Sequence, residues 1–152
     1  MKLEPKHIAP YFPYGLRVQY IDPITNKKRT ANLTSVGIKE IETTYNRKIK
    51  GCSGDIISWS GHNSVEQMKV KPLLRPLSDL TKEIELNGEK FVPIEMLSYY
   101  ANEQTEKGTT GLEWGIVSSL PYTDIEKILE WHFDVFSLIP NGIAIDINTL
   151  KS

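Results

Sequence analysis

The sequence predicts an α+β fold: a small antiparallel sheet, either an SH3-like barrel or a bent sheet, packed with a hairpin and a C-terminal amphipathic helix. Three observations predict it. Apolar and polar residues alternate in short runs over residues 16–71, the period of a strand with one buried face. Clusters of Gly, Pro, Asn and Ser separate those runs. After residue 120 the apolar period becomes that of a helix.

Taken in order, residues 16–21 alternate as LRVQYI, and Asp22-Pro23-Ile24-Thr25-Asn26 follows with residues that set or tolerate turn dihedrals. Residues 28–38 read as the return strand. Residues 40–45 are rich in β-branched and aromatic residues, Gly51-Cys52-Ser53-Gly54 interrupts them, and residues 55–59 resume a strand. A turn at residues 60–64 leads to a strand over 67–71, which Pro72 and Pro76 are expected to end or edge because proline cannot donate to a ladder. Residues 83–93 hold Asn87-Gly88 between two short runs, the signature of a type I′ hairpin. Residues 94–102 read as a short helix and residues 103–111 as a polar loop. The pattern over 121–139 predicts the main helix, with Thr123 and Glu126 spaced as a capping box and Pro140-Asn141-Gly142 as its stop. Alternation over 142–147 predicts a last strand.

The chain has 152 residues, 39% hydrophobic and 24% charged, the composition of a globular protein that builds a core without disulfides. Cys52 is the single cysteine, no run is long enough to span a membrane, and the first residues lack the apolar stretch of a signal peptide, so the expected location is the cytoplasm. The three histidines, His7, His62 and His132, have no metal-ligand spacing, and neither phosphate-loop pattern occurs; no metal and no cofactor are expected. His132 is read as a packed histidine on the apolar side of the helix. Cys52 and His62, with Ser60, Ser64 and Asp55 near them, are the weak candidates for nucleophilic chemistry, and the same residues equally describe a hairpin loop. Gly51 to Asp55 reads as a turn. The pairs Glu40/Glu42 and Glu83/Glu85 each share a strand face, ordinarily the solvated one.

Net charge is −1, but residues 1–77 hold thirteen Lys/Arg against six Asp/Glu, a net of +7, while residues 78–152 hold five against thirteen, a net of −8. These halves are the two expected lobes, 1–77 basic and β-rich, 78–152 acidic and α+β, or parts of one domain. Lys27, Lys28 and Arg29, with Arg47, Lys48 and Lys50, flank presumed turns, and Tyr45 and Trp59 could offer stacking surfaces, so these eight residues are the candidate contacts for nucleic acid or another partner. Alternatively the halves attract one another and the basic runs are solvated turns.

The segments IAPYFPYGL (8–16), KPLLRPLSDL (71–80), EWHFDVF (130–136) and AIDINTL (144–150) resemble a family of uncharacterised small proteins of bacteriophage and prophage regions. The resemblance implies a genomic setting and no catalytic residue. It raises the expectation of a non-enzymatic accessory protein that binds a macromolecule, nucleic acid or a host protein, including an inhibitor of host defence. The acidic half could serve by occupying a basic protein surface. Two other functions are carried forward: a small hydrolase or nucleotide-acting enzyme using residues 52–64, and a virion or assembly component.

Overall fold

A computed structural model describes residues 3–22, 25–36, 56–59, 69–98, 101, 117 and 119–150. The chain divides into two compact units: residues 1–73 with 143–145, and residues 74–142 with 146–152. The fold is of mixed α and β content, and among the described residues no helix is long and apolar enough to cross a membrane.

The first unit starts with a single helical turn, α1 (Pro5–Ile8), and a 3-10 stretch (Ala9–Tyr14) that buries Tyr11 and ends at Gly15 in the left-handed region. Strands β1 (Arg17–Ile21) and β2 (Lys28–Val36) form the hairpin that the alternation predicts. Its turn is held by Asp22, whose carbonyl accepts from the Asn26 N–H (2.8 Å) and whose carboxylate accepts from the Thr25 N–H (3.3 Å). Strand β3 (Ile56–Trp59) lies against β2, and β4 (Lys71–Leu74) against β1. With β7 (Ile145–Asp146) the order is β3-β2-β1-β4-β7.

The expectation of a wholly antiparallel sheet is corrected here. The sheet is mixed: β2 and β3 run parallel, because the nineteen positions between them are enough for a crossover where a tight hairpin would have given the antiparallel partner. The described strands form an open sheet, with no barrel closure among them. Pro72 lies inside β4 instead of ending it; the β1–β4 ladder tolerates this by running for only two residue pairs, Val18↔Pro72 and Gln19↔Lys71. Val18, Tyr20, Ala31 and Leu33 occupy one side of the hairpin and are buried with Ile8, Tyr11 and Leu16.

In the second unit, β5 (Ile84–Leu86) and β6 (Glu89–Phe91) form the Asn87-Gly88 hairpin, both turn residues having positive φ (52° and 84°). A 3-10 turn (Leu77–Thr81) precedes it. Another (Pro93–Met96) stands where the short helix over 94–102 was expected to begin. The main helix α2 is shorter than its apolar pattern, Tyr122–Glu130. It begins at Tyr122, so Thr123 is already inside the first turn and cannot cap; Pro121 precedes the helix and its carbonyl accepts from the Asp124 and Ile125 N–H groups.

The other end explains the missing turns of helix. The Phe133 N–H donates to the Ile128 carbonyl (3.0 Å) and the His132 N–H to the Leu129 carbonyl (2.9 Å), a Schellman closure with His132 at φ 59° where glycine is usual. Ile128 and Phe133, which meet in such a closure, are fully buried. His132 is therefore a half-buried residue of the helix terminus and not a packed mid-helix histidine. Arg75 then pairs with Phe133 as an isolated parallel bridge, its N–H on the His132 carbonyl and its carbonyl on the Asp134 N–H, both at 2.8 Å. The buried Asp134 carboxylate accepts from the Leu138 (2.8 Å) and Ile139 (2.7 Å) N–H groups, so residues 131–142 form a sequence of turns. Phe91 and Trp131 pack with ring centroids 5.2 Å apart at 54°. Asp124 is buried and accepts from the N–H of Ser98 (3.0 Å) and from its hydroxyl, which ties α2 to the segment after Met96.

Candidate functional site

Pairing register assigns the faces of the first unit's sheet. Directly opposed residues of an antiparallel pair share a face, so Arg17 with Asn32, Gln19 with Thr30, Ile21 with Lys28, and Gln19 with Lys71 all lie on the face opposite Val18 and Ala31. Among these described residues the face carries three cations and no carboxylate, with Arg17 and Lys28 exposed and Lys71 half-buried. Lys27 is exposed beside Lys28. Arg29, one residue on, belongs to the other side, opposite Tyr20, and its Nε donates to Asp22 Oδ2 at 2.9 Å. Of the three consecutive cations, Lys27 and Lys28 thus face solvent, and Arg29 helps to hold the turn that presents them. Sequence reading missed Arg17 and Lys71; the register that brings them beside Lys28 is set by pairing and has no mark in a run of basic residues.

Trp59 is opposite Val36 at the far end of β2 from Lys28. Eight residues of strand separate those ends by about 26 Å, so Lys28 and Trp59 stand at opposite ends of β2 in the backbone register. Tyr45, Arg47, Lys48, Lys50, Cys52 and His62 lie outside the described residues. Among the described residues no group of His, Cys, Asp and Glu could hold a metal ion.

The second unit has a surface hollow of about 480 Å³ that the sequence did not announce. Its one buried cation is Arg75, 6% exposed, whose Nη2 donates to the Glu85 carbonyl at 3.2 Å. Burial pulls the guanidinium below its ordinary value, while Asp79 and Asp146 nearby act the other way; it remains a cation. Asp79, also buried, accepts from Lys82 Nζ (2.8 Å) on one oxygen and from Asn148 Nδ2 (2.6 Å) on the other. That hydrogen bond, with the attraction of the carboxylate, raises the proton affinity of Lys82. Lys90 stands 4.0 Å from Glu83 at the rim. Arg75 sits within the KPLLRPLSDL run, but its burial follows from the bridge to Phe133, a contact between segments far apart in sequence.

Comparison of the chain with protein-family models, with curated proteins and with solved structures gives no match.

Proposed function

We propose that this chain is a non-enzymatic accessory protein of bacteriophage or prophage origin, acting in the bacterial cytoplasm, that binds the phosphate backbone of nucleic acid with its first unit. The observation that carries the reading is the sheet face on which Arg17, Lys28 and Lys71 stand among Gln19, Thr30 and Asn32 with no described carboxylate between them. Cations interleaved with amide and hydroxyl groups are what backbone contact requires, because phosphate oxygens accept from all of them. Charge at a larger scale supports it. The first unit holds twelve Lys/Arg and six Asp/Glu, a net of +6, so an approaching polyanion is drawn to it and not to the second unit, at −7. The outward residues of β1 and of the described part of β2 include no aromatic, which favours backbone contact over base stacking.

The test is titration of labelled single-stranded and duplex DNA and RNA with the full chain at ~50 and ~200 mM salt. Engagement of Arg17, Lys27 and Lys28 by phosphates predicts a loss of affinity of about 20-fold or more between the two salt concentrations. The variant K27E/K28E should weaken binding at the lower salt and flatten the salt dependence. Absence of binding to every probe at ~50 mM, or binding that ignores both salt and the charge reversal, overturns the proposal.

A further inference from the structure

We propose that the hollow of the second unit binds a small zwitterion of the α-amino-acid type, its carboxylate on the Arg75 guanidinium and its ammonium group on the Glu85 carboxylate. The argument begins with which charges are already used. Lys82 is neutralised by Asp79 at 2.8 Å, and Lys90 faces Glu83 at 4.0 Å. Among the described residues that line the hollow, Arg75 and Glu85 are the charged pair with no ion-pair partner within 4.0 Å, Asp79 and Asp146 acting on Arg75 from farther away. One is a cation at the buried side and the other is a carboxylate exposed at the rim. The site therefore has a positive and a negative pole, and a molecule carrying both charges satisfies it where a simple anion satisfies half.

Arg75 is built for the first contact. A guanidinium has five N–H donors in a planar fork, and among the described residues Arg75 uses one of them, on the Glu85 carbonyl. Desolvated by burial, it gains more from an oxyanion than a solvated arginine would, and the fork fits both oxygens of a carboxylate at once. The second contact is placed by the same hydrogen bond. It holds the backbone of Glu85 3.2 Å from Nη2, so the residue that carries the carboxylate is tied directly to the guanidinium. A volume of about 480 Å³ lies within the range of small-molecule sites and leaves room for a side chain beside Ile84. Asp79, which also lines the hollow, is fixed between Lys82 and Asn148. The preference for a monoanionic carboxylate over phosphate follows from the three carboxylates, Asp79, Glu83 and Glu85, around the hollow.

The experiment is an NMR titration of the full chain that follows the backbone amides of residues 82–90 and the side-chain amide of Asn148. Four probes are used: L-alanine, propionate (which lacks the ammonium group), ethylamine (which lacks the carboxylate) and inorganic phosphate. The proposal expects saturable shifts with L-alanine in the millimolar range, and affinity about fivefold above that for propionate, the contribution of one exposed charge contact. E85Q, at an exposed side chain, should bring L-alanine down to the level of propionate without changing the spectrum elsewhere. R75K should abolish the shifts; should that buried substitution unfold the chain, E85Q and the matched probes decide alone. No saturable shift with any probe, propionate or phosphate equal to or tighter than L-alanine, or an E85Q protein that binds L-alanine as before would each overturn the assignment. The site is confined to the second unit, so its failure and that of the nucleic-acid reading are independent.

Discussion

Replacing Asp134 with alanine removes both acceptor oxygens that close the turns after α2, and the loss can be worked from two of its partners, Leu138 and Ile139, the Phe136 N–H adding to it. Leu138 is fully buried, so its orphaned N–H pays the desolvation penalty of an unsatisfied donor, about 1–3 kcal/mol. Ile139 is half-buried; its N–H can turn to water, and the exchange costs about 0.5–1 kcal/mol. Removing a buried carboxylate returns part of this, leaving a net destabilisation of about 2 kcal/mol. For a chain of this length that is a fall in Tm of about 4–8 °C, measured by circular dichroism or calorimetry. A second readout separates this account from a simple cavity. Burial outweighs the N–H donors and holds the Asp134 carboxyl above its ordinary value of 3.8. The folded state then binds that proton more tightly than the unfolded state, so the group's contribution is greatest below the ordinary value and falls as pH rises through the folded one. Alanine has no such proton. The gap in stability between wild type and D134A should therefore be wider near pH ~4 than at pH ~7. A fall in Tm below about 2 °C at both pH values, or a gap that widens toward neutrality, would refute the reasoning.

His132→Gly should stabilise the chain by about 0.5–1 kcal/mol, since the left-handed position that ends α2 costs a β-carbon and suits glycine; urea titration checks it, and a destabilised variant would show that the imidazole contributes more than the strain. Gly88→Ala meets open space but must hold φ 84°, so the hairpin should lose about 1–2 kcal/mol by conformational strain alone, read from the denaturation midpoint. His7 accepts from the Glu4 N–H on Nδ1 and burial lowers its proton affinity below the ordinary 6.5. Its contribution is thus complete above that value and is lost as pH falls through the lower folded one, and His7→Gln should flatten the decline in thermal stability below pH ~6.5.

What the sequence revealed of the fold was whatever is decided within a few residues. The β1–β2 and β5–β6 hairpins are legible because Asp22, Asn26, Asn87 and Gly88 carry their own turn chemistry, and alternation then fixes which side is buried. The parallel partner of β2 is not legible, because strand direction depends on a long connection and on no residue within β3. Nor is the end of α2. The apolar residues continue at helical spacing to Ile139, yet a histidine takes the left-handed position and Asp134 offers the next N–H groups a closer acceptor than another helical turn would. The basic run at Lys27 and Lys28 could be read directly, whereas the register that places Arg17 and Lys71 on their face could not. Arg75 has no local signature at all; it matters because Phe133 brackets it.

The return of residues 143–145 to the first unit has a consequence for how the chain comes into being. That unit is discontinuous: its last strand is encoded after nearly all of the second. During synthesis β4 can pair with β1 as soon as both have left the ribosome, but β7 arrives some seventy positions later, and until then β4 is an open edge available to any other strand. A fragment ending at residue 142 keeps that edge permanently. Pro72 leaves β4 with one backbone donor fewer, and so with less to offer while it waits for β7.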